Sequence, residues 1–145
     1  MIPYSEGAPA KLNLALHVRG RLPDGRHRLE TVFAFCTEGD VLTVETADHT
    51  CCQLDKYGDF ADQITGRDNL VMDAYFALKE RAGVERGVIF TLKKNLPVAS
   101  GIGGGSADAA AALRLLTRLW KIDPDHAAAV APELGSDVPA CRIRC

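Results

Sequence analysis

Over residues 10–18 the chain alternates. Leu12, Leu14, Leu16 and Val18 fall on one face, and Lys11, Asn13, Ala15 and His17 on the other, the pattern of a half-buried strand. Leu22-Pro23-Asp24-Gly25 reads as a turn, in which Pro fixes one φ and Gly supplies another. Residues 29–35 predict a second strand, Gly39-Asp40 a turn, residues 41–46 a third strand and residues 51–54 a short edge strand. Strands joined by short turns imply antiparallel pairing.

After Gly66 the period changes. Asp68 or Asn69 can cap a helix running to about residue 82, with Leu70, Val71, Ala74, Ala77 and Leu78 at helical spacing and Gly83 as its stop. Residues 88–92 predict another strand, and a glycine-rich run then leads into an Ala-rich helix. That helix opens at Ser106 and runs to about Trp120, with Ala109, Ala112, Leu113, Leu116 and Trp120 along one stripe. Asp123 caps a further helix, with Pro124 at its first position and an end at Leu134-Gly135. Strands first and helices later predict an α+β fold, an antiparallel or mixed sheet packed against helices.

Composition narrows the function classes. With 145 residues, 47% hydrophobic and 25% charged, the chain can form a core and is not a disordered or low-complexity protein. A formal charge of -2 argues against a basic nucleic-acid-binding module. No apolar run reaches the ~18–20 residues of a membrane span, and residues 1–6 lack signal-peptide features, so no membrane partner is expected and the expected location is cytoplasmic. Five cysteines, with Cys51-Cys52 adjacent and Cys141 four residues from Cys145, lack the C-x-x-C spacing of a metal or redox motif. No structural metal site is expected.

The candidate chemistry lies in Pro97-Val98-Ala99-Ser100-Gly101-Ile102-Gly103-Gly104-Gly105-Ser106-Ala107-Asp108. Four glycines in five positions ahead of a helix let backbone N–H groups converge on phosphate oxygens, and the helix N-terminus adds partial positive charge. The bland alternative is a flexible linker, which seldom stands between a buried strand and an apolar helix. A P-loop would need Gly-Lys-Ser/Thr, which the chain lacks. A dinucleotide fingerprint counted from Gly101 would need Gly at Ser106.

The stretch from Pro97 to Ala107 resembles the ATP-binding motif of the GHMP kinases. Within that superfamily Ala8-Pro9-Ala10-Lys11-Leu12-Asn13-Leu14, Asp24-Gly25-Arg26-His27-Arg28-Leu29-Glu30-Thr31 and Leu134-Gly135-Ser136-Asp137-Val138-Pro139 resemble the 4-diphosphocytidyl-2-C-methyl-D-erythritol kinase family. The resemblance implies a GHMP N-terminal domain, of the ribosomal protein S5 domain 2-like type, over residues 1–139. It also implies ATP-dependent phosphorylation of that substrate's 2-hydroxyl, in the non-mevalonate route to isoprenoid precursors, with ATP and Mg2+ as cofactors. Lys11 and Asp137 match the catalytic pair, and Asn13 and His27 the substrate-binding residues, His27 against the cytosine ring. Lys94, Pro97, Gly101, Gly103, Gly104, Gly105 and Ser106 match the ATP-binding residues, Lys94 near the phosphates. Ser106 also serves as a helix cap, and Asp108 complements the dipole of the first helical turn. Arg26 stands where that family usually has Tyr.

The family's kinases are longer and continue into a second domain, so the chain corresponds to their N-terminal part, with residues 140–145 as an atypical tail. Faces that the rest would cover make self-association an expectation. Two other readings fit the same pattern: another GHMP small-molecule kinase, and a catalytically inactive nucleotide-binding fragment.

Overall fold

The computed structural model describes residues 3–25, 27–64, 69–97 and 104–142, without the side chains of residues 12–19 and 27–33 inside the first two strands. Its elements are β1 (Tyr4–Arg21), β2 (His27–Thr46), β3 (Cys52–Tyr57), α1 (Leu70–Ala82), β4 (Val88–Lys93), α2 (Gly104–Trp120), α3 (Pro124–Leu134) and α4 (Val138–Arg142). The four strands form one sheet in the order β1-β2-β4-β3. The β1–β2 and β2–β4 pairs are antiparallel, whereas β3 runs parallel to β4. The sheet is therefore mixed. The parallel pair follows from its connection: α1 carries the chain across one face, as a crossover between parallel strands requires.

The turn expected at Gly39-Asp40 is not there. β2 runs unbroken through both residues, with Gly39 opposite Pro9 and Asp40 opposite Ala8, just before a register shift between Pro9 and Lys11. Gly39 serves close strand approach instead, because a Cβ on it would lie 2.1 Å from the Ala8 carbonyl oxygen. The edge strand β3 also begins one residue later and extends three residues beyond its expected end.

On β4 the buried positions alternate, placing Val88, Phe90 and Leu92 against the helices. Leu42 and Val44 of β2 join them. Helix α2 is buried on nearly every side, including Ala109, Ala110, Ala111 and Ala112. Small side chains there allow the sheet on one side and the other helices on the other to approach closely, and a helix apolar all round belongs in an interior. Burying one large side chain such as Phe90 or Leu113 contributes about 1.5–3 kcal/mol. Helix α1 has the expected ends: the Asn69 side chain accepts from the Val71 N–H, and Gly83 adopts φ 67°. Asp123 caps α3 by accepting from the Asp125 N–H at 2.9 Å. Helix α2 is already helical at Gly104, the first described residue after Pro97, so Ser106 lies inside the helix rather than at its cap.

Candidate functional site

Lys11 and Asp137, far apart in the chain, meet in space. Lys11 lies in β1 just past the register shift, and its Nζ stands 2.8 Å from Asp137 Oδ1. The pair is asymmetric: the lysine side chain is 2% exposed and the aspartate 46%. Asp137 immediately precedes α4, and its carbonyl accepts from the Cys141 N–H at 3.1 Å. A bracket from α2 holds the two elements together. Arg114 donates from Nε to Glu6 of β1 and from Nη1 to the Cys141 carbonyl of α4 at 2.9 Å, while Arg118 adds a second cation to Glu6 at 3.0 Å.

A second charged cluster lies under the start of α2. Lys94 Nζ is 2.6 Å from Asp40 Oδ2 and 3.0 Å from Asp108 Oδ2, with all three residues buried. Asp40 Oδ1 accepts two backbone N–H groups, from Asn95 at 2.7 Å and Leu96 at 2.8 Å. Burial first, and then the neighbouring Asp40, push the Asp108 carboxyl up to about 8 against the opposing pull of Lys94. Burial alone would lower the Lys94 ammonium, but Asp108 and Asp40 outweigh it and hold it above its ordinary value. Lys94 thus remains a cation, held by Asp40 and by an Asp108 that keeps its proton into the neutral range. Asp108, expected to complement the dipole of the first turn, is buried in the second because the helix starts earlier.

The α2 terminus itself is closely fitted. Gly104 is buried, and a Cβ there would stand 3.2 Å from Lys94 Nζ. On Gly105 a Cβ would stand 3.6 Å from Leu70 Cδ1, which brings the first turn of α2 beside that of α1. From there a groove of about 510 Å³ runs between β3 and α1, lined by Leu54, Lys56, Ile64, Asn69, Met72 and Phe76 among others. Phe76 is 56% exposed. Sequence reading missed this groove, and its available signal was Phe76, a large aromatic off the buried stripe of α1. Pro97 is half-buried ahead of the glycine run.

Gly101 and Gly103 lie outside the described residues, as do Arg26 and the side chains of Asn13 and His27. Backbone pairing places Asn13 opposite Phe33 and His27 opposite Arg21. Among the described residues no group of three His, Cys, Asp or Glu side chains could hold a metal ion, and no helix is long and apolar enough to cross a membrane.

Residues 69–143 match the family model for the GHMP kinases N terminal domain. The chain belongs to the GHMP kinases. It is 53% identical over 135 residues to 4-diphosphocytidyl-2-C-methyl-D-erythritol kinase of Hyphomonas neptunium, covering 91% of this chain and 45% of that protein. Against the enzyme of the same name from Parvibaculum lavamentivorans it is 49% identical over 142 residues, 96% of this chain and 48% of that protein. A crystal structure of 4-(cytidine 5'-diphospho)-2C-methyl-D-erythritol kinase superposes with a TM-score of 0.73 at 39% identity, covering 95% of this chain and 48% of that one. This GHMP domain therefore spans about half the length of the curated relatives it matches, corresponding to their N-terminal part.

Proposed function

We propose that this GHMP domain is the nucleotide- and acceptor-binding half of an ATP-dependent kinase that phosphorylates the 2-hydroxyl of 4-diphosphocytidyl-2-C-methyl-D-erythritol. The observation that carries the reading is the Lys11–Asp137 pair at 2.8 Å, built by two of the stretches that resemble this kinase family in the sequence. Phosphoryl transfer asks mainly for positioning and for charge opposite the moving phosphoryl group. Asp137 is open enough to accept the proton of an acceptor hydroxyl. Lys11 balances the carboxylate and the charge that develops during transfer.

Nucleotide phosphates would sit at the N-terminus of α2, over the amides of Gly104, Gly105 and Ser106. Gly105, exposed and without a side chain, leaves its backbone open to an anion. The neighbouring groove offers Leu54, Met72 and Phe76 as apolar walls against which a nucleobase could pack, with Lys56, Asn69 and Asp73 as polar groups around them. Mg2+ would arrive on the ATP phosphates, where it neutralises charge and orients the transferring group; Ser106 is the described residue at the loop with an oxygen to offer it. Asn13 and His27 are assigned to the acceptor, His27 to its cytosine.

The test is phosphoryl transfer by the purified 145-residue chain, with Mg-ATP and 4-diphosphocytidyl-2-C-methyl-D-erythritol, beside Asp137→Asn. Turnover that vanishes in the variant supports the reading. Folded protein that binds ATP without turnover makes the chain a nucleotide-binding domain only. Equal turnover with homoserine or mevalonate would move it to another branch of the GHMP kinases.

A further inference from the structure

We infer that Lys94, with Asp40 and Asp108, is a positioning cluster that sets the nucleotide site from beneath and does not contact the phosphates. This deepens the nucleotide reading above and rests on it. Three observations carry it. First, Lys94 Nζ is already engaged by two aspartate side chains, at 2.6 and 3.0 Å, and its own side chain is 3% exposed. Moving the buried ammonium out to a phosphate in solvent would break both contacts and leave the Asp40 carboxylate buried without its cation.

Second, the cluster joins the chain segments on either side of the glycine run. Lys94 follows β4, and the two amides after it are latched onto Asp40 Oδ1 at 2.7 and 2.8 Å. Asp108 lies one turn into α2 and takes the same ammonium. The exit from β4 and the entry to α2 are therefore referenced to one buried nitrogen. Asn95 adds a further tie to this strand, donating from Nδ2 to the Gly39 carbonyl at 2.9 Å.

Third, the fit against the helix terminus is tight. A Cβ on Gly104 would come within 3.2 Å of Lys94 Nζ, so the ammonium forms the floor directly beneath the first turn of α2. Amides at a helix terminus bind an anion well only when they are held in place before it arrives. The cluster supplies that hold.

The sign of one substitution separates positioning from direct contact. In Asp40→Ala the Asn95 and Leu96 latch is lost and Lys94 is relieved of a neutralising carboxylate. If Lys94 positions the site, ATP binding to the chain, measured by calorimetry in Mg2+ buffer, weakens about tenfold or more. If Lys94 contacts phosphate, the freed cation tightens binding, and that result overturns the inference. Asp40→Asn, which keeps an oxygen for the latch, covers the case in which the alanine variant does not fold; its expected loss is smaller and of the same sign. Hydrogen exchange provides an arm independent of nucleotide. Asp40→Ala should lose protection at the amides of Asn95 and Leu96, which Asp40 Oδ1 accepts, and at the first hydrogen-bonded amides of α2, while the amides of α1 and α3 keep theirs; Asp40→Asn should lose less at each. Unchanged exchange at those flanks in folded protein would sink the positioning role. Wild-type chain that binds no ATP, with the expected exchange changes, would instead count against the nucleotide reading and leave the cluster's structural role standing.

Discussion

Lys11 is almost wholly buried while its partner Asp137, 2.8 Å away, is nearly half exposed. The two halves of this ion pair therefore respond differently to removal. Asp137→Asn leaves a buried ammonium without that carboxylate, a loss of about 1–3 kcal/mol. Lys11→Met removes the buried charge and fills its space, which is far better tolerated. In urea titrations Asp137→Asn should unfold at lower denaturant than Lys11→Met, although each should lower phosphoryl transfer by roughly 10²–10⁴-fold. The opposite order of stabilities would mean that Asp137 is dispensable to the fold.

Asp108 makes stability depend on pH in an unusual direction. Its carboxyl is raised from 3.8 to about 8 in the folded chain, burial being the largest cause. Between those values the folded state holds a proton that the unfolded state has released, so this group's contribution to stability falls as pH rises from about 4 to about 8 and levels off above. Asp108→Asn, which resembles the protonated acid, should remove that slope. Urea midpoints at several pH values, compared between the two proteins, measure it; parallel pH profiles would place the proton elsewhere.

Gly39→Ala should destabilise the sheet. Its new methyl would meet the Ala8 carbonyl oxygen at 2.1 Å, within the stretch where β1 and β2 pair most closely to the register shift. Overpacking of this kind costs about 1–3 kcal/mol. Gly83→Ala is the comparison, since there the space is open and the obstacle is φ 67°, worth about 1–2 kcal/mol. Thermal unfolding of both variants should show losses, and a neutral Gly39→Ala would mean that β1 can shift away.

Arg114→Lys tests the bracket between β1 and α4. A lysine keeps the charge but cannot reach Glu6 and the Cys141 carbonyl together, as the guanidinium does. We expect a loss of about 1–3 kcal/mol in urea unfolding, with ATP affinity unchanged because α2 keeps its N-terminal contacts. Full stability in Arg114→Lys would show that the Glu6 contact alone suffices.

Helices were more legible in the sequence than strands. Helix α1 carries its own punctuation in Asn69 and Gly83, and α3 in Asp123 and Pro124, so both ends follow from local hydrogen bonding and backbone freedom. The stripe on α2 follows from periodicity. β2 was not legible as one strand, because Gly39-Asp40 has the composition of a turn and only the neighbouring Ala8 carbonyl reveals why glycine is needed. The parallel partner of β4 was hidden for a related reason: a strand's direction is set by the path of the chain through α1, not by the strand's own residues. At the site, Lys11 and Asp137 were singled out by motif resemblance and do meet. The buried ties of Lys94 to Asp40 and Asp108 were invisible, since Lys-Lys-Asn before a loop looks like a solvated basic pair until tertiary packing covers it.

The last of the described strands does not lie at the edge of the sheet. β4 sits between β2 and β3, hydrogen-bonded on both flanks. As the chain leaves the ribosome, the β1–β2 hairpin can close on its own, but one rim of β2 and the whole of β3 stay without partners until residues 88–93 emerge. During that interval the nascent protein displays open strand rims that invite pairing with other chains. Insertion of β4 pairs the free rim of β2 and one rim of β3 in one step and brings Lys94, the next residue, to Asp40. Closure of the sheet during synthesis and assembly of the ground beneath Gly104 at the start of α2 are thus the same event.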